Sequence, residues 1–217
     1  MTESAASGAR ERRLAEIVGA VARRLLADRD ASRIALLDDG GPEAALAARI
    51  LGAALGPGAV VRVTAEEGEV EPVLHGVRGA TPAEAATELR RMRARLVPAA
   101  LPANPANKTA LLLGGELPPE PFFPLGDLWA GEVAALAGGW SAPDAARRAI
   151  ERAGGVEKAD DALRRLVDRR DPAALDGLRP AGAKALRAAL ARGRASRVHP
   201  RVVPKLGART LGVDLFE

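Results

Sequence analysis

Hydrophobic positions near the start of the chain recur at helical spacing. Arginine and glutamate side chains fall between them, which is the pattern of an amphipathic helix with one buried face. The recurring positions are Leu14, Ile17, Val18, Val21 and Leu25. We therefore predict a first helix here. The Ser-, Gly- and Ala-rich residues 1–9 that precede it are expected to be mobile.

A short apolar run then predicts the first strand. Residues 33–37 (Arg-Ile-Ala-Leu-Leu) are followed by acidic residues and a glycine pair, as is typical of a buried parallel strand that ends in a loop. Pro42 is expected to open a helix that ends at Gly56, and residues 60–63 predict a second strand. Strand, helix and strand in this order predict the α/β class: a doubly wound parallel sheet with helices on both faces.

The middle of the chain predicts a helix and then a break. Residues 82–96 are expected to be helical, with Leu89, Met92 and Leu96 facing inward. Three prolines between residues 98 and 105 are expected to interrupt regular structure. A further strand is predicted at 109–113. After it, one helix is expected at 126–137 and more helix up to Arg194.

Composition limits the class of protein. A length of 217 residues suits one domain, which we place at residues 10–217. The chain has no cysteine and no apolar segment suited to export or to crossing a bilayer, so we expect a cytoplasmic protein without a membrane partner. Its 32 basic and 28 acidic side chains leave a net charge of only +4. A nucleic-acid partner is therefore not expected.

The loop between the first strand and its helix is a candidate anion site. Its residues are Asp39, Gly40, Gly41, Pro42, Glu43 and Ala44. A glycine pair before a helix can point backbone amides at a phosphate, and the helix N-terminus adds positive potential. The alternative is ordinary turn chemistry, which glycine pairs also serve.

Several segments together resemble one family, the ammonia-dependent NAD synthetases. The loop at 39–44 is similar to the Ser-Gly-Gly-x-Asp-Ser loop of the ATP pyrophosphatases, and residues 111–114 resemble the strand that follows in that family. Residues 124–129 (Pro-Leu-Gly-Asp-Leu-Trp) look like the family's Pro-(Ile/Leu)-Gly-Asp-Leu-Tyr element. Residues 204–214 are close to its C-terminal end. The resemblance implies a fold of the adenine nucleotide alpha-hydrolase type over roughly residues 10–214.

The resemblance also implies an activity. The family adenylates deamido-NAD with ATP and Mg²⁺, lets ammonia displace AMP to give NAD, and works as a homodimer. An active chain would therefore use ATP and Mg²⁺ as cofactors. A homodimer is the expected assembly, with the first helix at its interface.

Against this family pattern the phosphate loop is eroded. Asp39 stands where the family has a serine that donates to pyrophosphate, and a carboxylate accepts hydrogen bonds but cannot donate them. A like charge 4 Å from a phosphate costs about 4 kcal/mol at an effective dielectric constant of about 20. Ala44 replaces the second hydroxyl, and Pro42 stiffens the turn. We therefore expect weak ATP binding at this loop.

Some acidic and basic side chains remain at positions that the family uses. Glu43 keeps a carboxylate in the loop, and Glu120 matches the acidic end of the Thr-Gly-Asn-x-Ser-Glu motif, so both are candidate Mg²⁺ ligands by resemblance. Arg95 and Arg197 are candidate anion contacts. Ordinary solvated surface residues are the alternative interpretation of all four.

Three functions stay open at this point. The first is a catalytically degenerate NAD synthetase relative that keeps the scaffold and some affinity for a nucleotide or dinucleotide. The second is an active ligase that makes NAD from deamido-NAD, ATP and ammonia with a rebuilt pocket. The third is a regulatory or scaffold partner without catalysis.

Overall fold

The computed structural model describes residues 3–66, 68–70, 81–114, 119–194 and 202–205. The chain divides into two compact units. The first, here called the sheet unit, comprises Met1–Pro105 and Glu120–Pro124. The second, the helical unit, comprises Ala106–Pro119 and Leu125–Glu217. That residues 10–217 form a single domain after mobile residues 1–9 stays a prediction.

The sheet unit alternates helices and parallel strands. In chain order its elements are α1 Glu3–Asp28, β1 Arg33–Leu37, α2 Pro42–Leu55, β2 Val60–Val63, α3 Pro82–Leu96 and β3 Ala100–Ala103. The predicted first helix, the first two strands and the helices after them are confirmed, although α1 begins earlier than expected. In the described part of the chain no helix combines the length and the apolar character needed to cross a bilayer.

The three described strands lie in the order β2-β1-β3, and both pairings are parallel. The crossover through α2 runs from β1 to β2, and the crossover through α3 runs in the opposite direction, from β2 past β1 to β3. Two right-handed crossovers in opposite directions place their helices on opposite faces of the sheet. On one face Ala35, Leu37 and Val63 pack with Ala94 of α3. The predicted α/β class is confirmed, and the carboxyl end of β1 lies at the point where the strand order reverses.

The prolines between residues 98 and 105 do not break the chain as expected. Ala100–Ala103 forms β3, in which Pro102 lies opposite Ala35 of β1. A proline has no N–H to donate, so a strand tolerates it only at the edge of a sheet, where one side of the strand lacks a complete row of backbone hydrogen bonds. Among the described strands β3 has only β1 as a full partner, and its outer side makes one isolated bridge, from Ala103 to Phe122. An edge position explains the strand.

The strand predicted at 109–113 is wrong. These residues belong to a short helix, α4, Lys108–Leu113. The Asn107 side chain caps it by accepting a hydrogen bond from the Ala110 N–H at 2.9 Å. All six helical residues are buried, so the helix has no exposed face to mark a helical period. The apolar run within it fits a strand equally well.

The inward face of α3 was also predicted incorrectly. Met92 is 55% exposed and Leu96 is 79% exposed, and Leu89 is only partly buried. The buried residues of α3 are Ala85 and Ala94. Small side chains at the contact let the helix lie close to the sheet, and the larger side chains lie outside that contact.

In its described residues the helical unit packs five helices around a core of its own. In chain order they are α4, α5 Ala130–Ala137, α6 Asp144–Ala153, α7 Val156–Val167 and α8 Pro180–Arg194. Leu112, Trp129, Ile150, Leu163 and Leu186 are among its buried residues. The helix expected at 126–137 begins only at Ala130, because Leu125 and Leu128 form a turn before it.

Close packing of α1 on α2 gives a test of the sheet unit. A Cβ on Gly19 of α1 would lie 2.4 Å from the Ala54 Cβ of α2, whereas a Cβ on Gly52 of α2 meets no atom within 4 Å. We expect Gly52→Ala to raise the free energy of unfolding by about 0.5–1 kcal/mol, since alanine favours helix over glycine. Gly19→Ala adds the same methyl group but overpacks the interface, which costs about 1–3 kcal/mol.

Urea unfolding of the two variants measures this difference directly. Equal stabilisation by both substitutions would show that α1 does not pack against α2 as described.

Candidate functional site

The candidate loop lies at the carboxyl end of β1, where ligands of open parallel sheets bind. The structure brings Asp39, Gly40, Gly41, Glu43 and Ala44 together there, between the end of β1 and the first turn of α2. Gly40 has a φ of +78°, a backbone conformation that favours glycine. Gly41 is the N-cap of α2, and no side-chain hydrogen bond caps the helix.

The first acidic residue after β1 turns its carboxylate back into the loop. Asp38 is buried, and its Oδ1 accepts a hydrogen bond from the Gly40 N–H at 2.9 Å. Its other oxygen, Oδ2, pairs with the Nε of Arg62 on β2. The hydrogen bond and the charge of Asp38 raise the pKa of the Arg62 guanidinium. Asp38 therefore holds one loop amide and is itself charge-compensated.

The second acidic residue does the same one position later. Asp39 Oδ1 accepts a hydrogen bond from the Gly41 N–H at 2.9 Å, and Asp39 is exposed. Pro42, which follows, has no N–H at all. At three successive positions, residues 40–42, the backbone therefore offers no uncommitted donor to an incoming anion.

Glu43 and Ala44 occupy the first turn of α2 and are both buried, Ala44 completely. The Glu43 carboxylate is thus on an element that begins at the loop, and its 4% exposure gives it little contact with solvent. Its proposed role as a metal ligand stays a prediction.

Glu120, the second candidate metal ligand, is engaged with protein groups in the sheet unit. Its Oε1 accepts from the Nε of Arg91 at 2.9 Å, and its Oε2 accepts from the Nδ2 of Asn104 at 3.0 Å. Asn104 directly follows β3, so Glu120 is held near the carboxyl end of that strand. Among the described residues no group of three or more His, Cys, Asp or Glu side chains is placed to hold a metal ion.

The two candidate anion contacts differ in what the structure says of them. Arg95 lies in the last turn of α3 and is exposed. Arg197 lies outside the described residues.

A buried lysine in the helical unit was missed by the sequence analysis. Lys108 is only 2% exposed, and its Nζ lies 2.8 Å from Asp168 Oδ1 and 3.5 Å from Asp127 Oδ1. The ammonium also lies over the Trp129 ring, 4.7 Å from its centroid. Two of these partners, Asp127 and Trp129, belong to the segment at 124–129 that carried the resemblance.

A second buried polar group lies beside this lysine on α4. The Thr109 hydroxyl donates to Asp160 Oδ1 at 2.6 Å and accepts from the Ala130 N–H at 3.0 Å. Asp160 Oδ2 accepts from the Gly131 N–H at 2.7 Å. Burial raises the pKa of Asp160, although both hydrogen bonds oppose that rise. These contacts join α4, α5 and α7 and leave each polar atom partnered.

Comparison with known proteins supports the fold. No family model matches the chain, and no curated protein gives a significant match. Among solved structures the chain is similar to the NH3-dependent NAD synthetase from Campylobacter jejuni subsp. jejuni NCTC 11168 in complex with the nitrate ion, with a TM-score of 0.62 and 16% identity. The match covers 89% of this chain and 99% of that chain. The resemblance to NAD synthetases is thereby confirmed for the fold.

The buried lysine gives a stability test of the helical unit. We expect Lys108→Met to lower the free energy of unfolding by about 3–5 kcal/mol, because it leaves the carboxylates of Asp127 and Asp168 without their cation. Lys184→Met removes a lysine from an exposed position on α8 and is the matched control, with an effect within about 0.5 kcal/mol. Chemical denaturation checks both. Equal effects of the two variants would contradict the buried pairing.

The raised pKa of Asp160 predicts a pH dependence. The folded protein holds the proton of the Asp160 carboxyl group more tightly than the unfolded chain does. The free energy of unfolding therefore falls as the pH rises from 3.8, the ordinary pKa of an aspartate, through the raised pKa of Asp160. Asp160→Asn cannot ionise and should lack this component. It loses some stability at every pH, because its single amide oxygen can accept only one of the two hydrogen bonds that Thr109 and the Gly131 N–H donate to the carboxylate. Unfolding free energies of both proteins across this window measure the difference. Parallel pH profiles would contradict the burial of an ionisable Asp160.

Proposed function

We propose that this protein is a catalytically degenerate relative of the NAD synthetases that keeps their scaffold and has lost their ATP pyrophosphate loop. The observation that carries the proposal is the internal closure of the loop, in which Asp38 and Asp39 accept the Gly40 and Gly41 N–H groups. Retained affinity for a nucleotide or dinucleotide, a homodimeric state and a cytoplasmic location are part of the proposal.

Phosphate binding at such a loop depends on backbone donors that point at the anion. Here a phosphate oxygen would have to displace a carboxylate from each glycine amide and would then lie beside that carboxylate. The exposed Asp39 side chain repels it with about 1 kcal/mol at 4 Å in water, rising to about 4 kcal/mol at an effective dielectric constant of about 20. Loss of donors and gain of repulsion act in the same direction.

The short helix α4 supports the proposal from a second place. With the strand reassigned to Ala100–Ala103, residues 107–110 (Asn-Lys-Thr-Ala) open the next helix. They fit the Asn-x-Ser-Glu part of the family motif quoted above, with the Thr109 hydroxyl in place of serine and Ala110 in place of glutamate. This alignment replaces the one that placed Glu120 at the acidic end of the motif. It keeps the asparagine and a hydroxyl but puts Ala110 where the resemblance places the carboxylate that holds Mg²⁺.

The preserved elements are the ones that hold the scaffold. Asp127 of the Pro-Leu-Gly-Asp-Leu-Trp segment pairs with Lys108, and Trp129 packs in the core of the helical unit. Such contacts stabilise a fold whether or not catalysis persists. They support the proposal that the fold has been kept although the phosphate loop has been lost.

Turnover is the direct test of this proposal. The purified protein is mixed with deamido-NAD, ATP, Mg²⁺ and ammonia, and NAD is followed through a coupled dehydrogenase. We expect no NAD above the rate of a sample without protein. Formation of NAD above that rate would contradict the proposal. If the Glu43→Gln variant did not form NAD under the same conditions, the active ligase with a rebuilt pocket would be established.

Substitutions at Asp39 separate the charge repulsion of its carboxylate from the loss of the Gly41 N–H as a donor. Asp39→Asn removes the charge but keeps an oxygen that can accept from the Gly41 N–H, whereas Asp39→Ala removes both. We expect Asp39→Ala to tighten ATP binding by about tenfold and Asp39→Asn by less, since only the first frees a donor as well as removing repulsion. Calorimetric titration with ATP measures both. Unchanged dissociation constants in both variants would mean that this loop does not limit ATP binding.

A further inference from the structure

A groove between α6 and α8 in the helical unit carries a concentration of positive charge. It encloses a volume of about 370 Å³, and its lining consists of three arginines and three alanines. The lining residues are Arg148, Ala149, Arg152, Ala185, Ala188 and Arg192. Arg148 and Arg152 lie one helical turn apart on α6, so they share a face, and Arg192 reaches the groove from α8.

The groove has this shape because α6 and α8 pack closely. A Cβ on Gly182 would lie 2.5 Å from the Arg152 carbonyl oxygen and 2.8 Å from the Ala153 Cα. Alanines then line the seam, so no large side chain fills the space above it. Close backbone contact at one end and small side chains along the seam leave a concave surface beneath the arginines.

The three arginines differ from Arg164 and Arg165 of the same unit, which lie near carboxylates. Arg165 pairs with Asp171 at 2.6 Å, and Arg164 lies 3.8 Å from Glu132. Within the described residues no carboxylate pairs with an arginine of the groove, and all three arginines are exposed at their surface positions. Three like charges around one cavity repel one another, and binding a polyanion relieves that repulsion.

We propose that the α6–α8 groove binds a compact anion that carries several phosphate groups. A guanidinium group can donate two parallel hydrogen bonds to one phosphate group, and three guanidinium groups offset most of the negative charge of a triphosphate. The lining has no aromatic side chain on which a base could stack and no acceptor that could read one, so the phosphates are the recognised part. A volume of about 370 Å³ lies at the small end of ligand pockets, about 300–1,000 Å³, and favours a compact ligand over an extended strand.

This inference does not rest on the proposed function. The groove belongs to the helical unit and the eroded loop to the sheet unit, so either can be correct without the other. Substitutions at Asp39 and in the groove are expected to change ATP affinity independently.

The test uses inorganic tripolyphosphate as the probe and the full chain. Calorimetry at low ionic strength compares the natural protein with the triple variant Arg148→Gln, Arg152→Gln, Arg192→Gln. A control triple variant, Arg169→Gln, Arg170→Gln, Arg179→Gln, removes the same charge from exposed positions of the helical unit. We expect the groove variant to bind tripolyphosphate at least about tenfold more weakly than the control variant. Circular dichroism verifies that both variants remain folded.

Titrations with other phosphate compounds identify the kind of ligand that the groove prefers. ATP and tripolyphosphate should bind with similar affinity, because nothing in the groove contacts a base, and orthophosphate should bind much more weakly. Equally weakened tripolyphosphate binding in both triple variants would show that only the overall charge matters, and this result would overturn the proposal. Absence of tripolyphosphate binding to the natural protein would overturn it as well. A single-stranded RNA that binds more tightly than tripolyphosphate, and only through the groove arginines, would overturn the compact-ligand assignment.

Discussion

Two hydrogen bonds at the end of the central strand are the constraint on which the candidate site depends. The Gly40 and Gly41 amides lie where a parallel sheet turns into a helix and where a nucleotide-binding fold would present donors to phosphate, yet each is held by the carboxylate two residues before it. The fold supplies the position and the loop sequence determines what can bind there. A scaffold of this kind hosts many functions, so the loop rather than the fold decides between them.

The rest of the sheet unit is arranged around that strand end. Arg62 on the neighbouring strand compensates the buried Asp38, which makes the closed loop inexpensive to maintain, because a buried carboxylate without a cation would be strongly destabilising. Glu120, held by Arg91 and Asn104, is likewise committed to protein partners. Glu120, which the resemblance would assign to Mg²⁺, thus makes internal contacts instead.

The elements predicted well are those with a local signature. Helices α2 and α3 begin at prolines, strands β1 and β2 are short apolar runs, and α1 has clear periodicity. Helix α4 could not be distinguished from a strand, because its six residues are buried on every side. Strand β3 contains a proline that only its edge position permits. The inward face of α3 was wrong because the sheet selects small side chains there.

The candidate site was predictable in position and less so in its bonding. A glycine pair after a buried strand located the loop, but capture of its amides depends on the left-handed φ of Gly40, which composition does not reveal. The Lys108 cluster was missed because its partners lie 19 and 60 residues further along the chain. Contacts of that sequence separation arise only from the packing of the helical unit.

The closed loop can be observed directly at its own amides. In a protein labelled with ¹⁵N, the Gly40 and Gly41 N–H signals are followed while ATP and Mg²⁺ are added. If the carboxylates of Asp38 and Asp39 hold these donors, both signals stay at their original positions at ATP concentrations that saturate any other site. Large, saturable shifts of both signals would show that the loop opens to receive phosphate, and the account of a degenerate loop would be wrong.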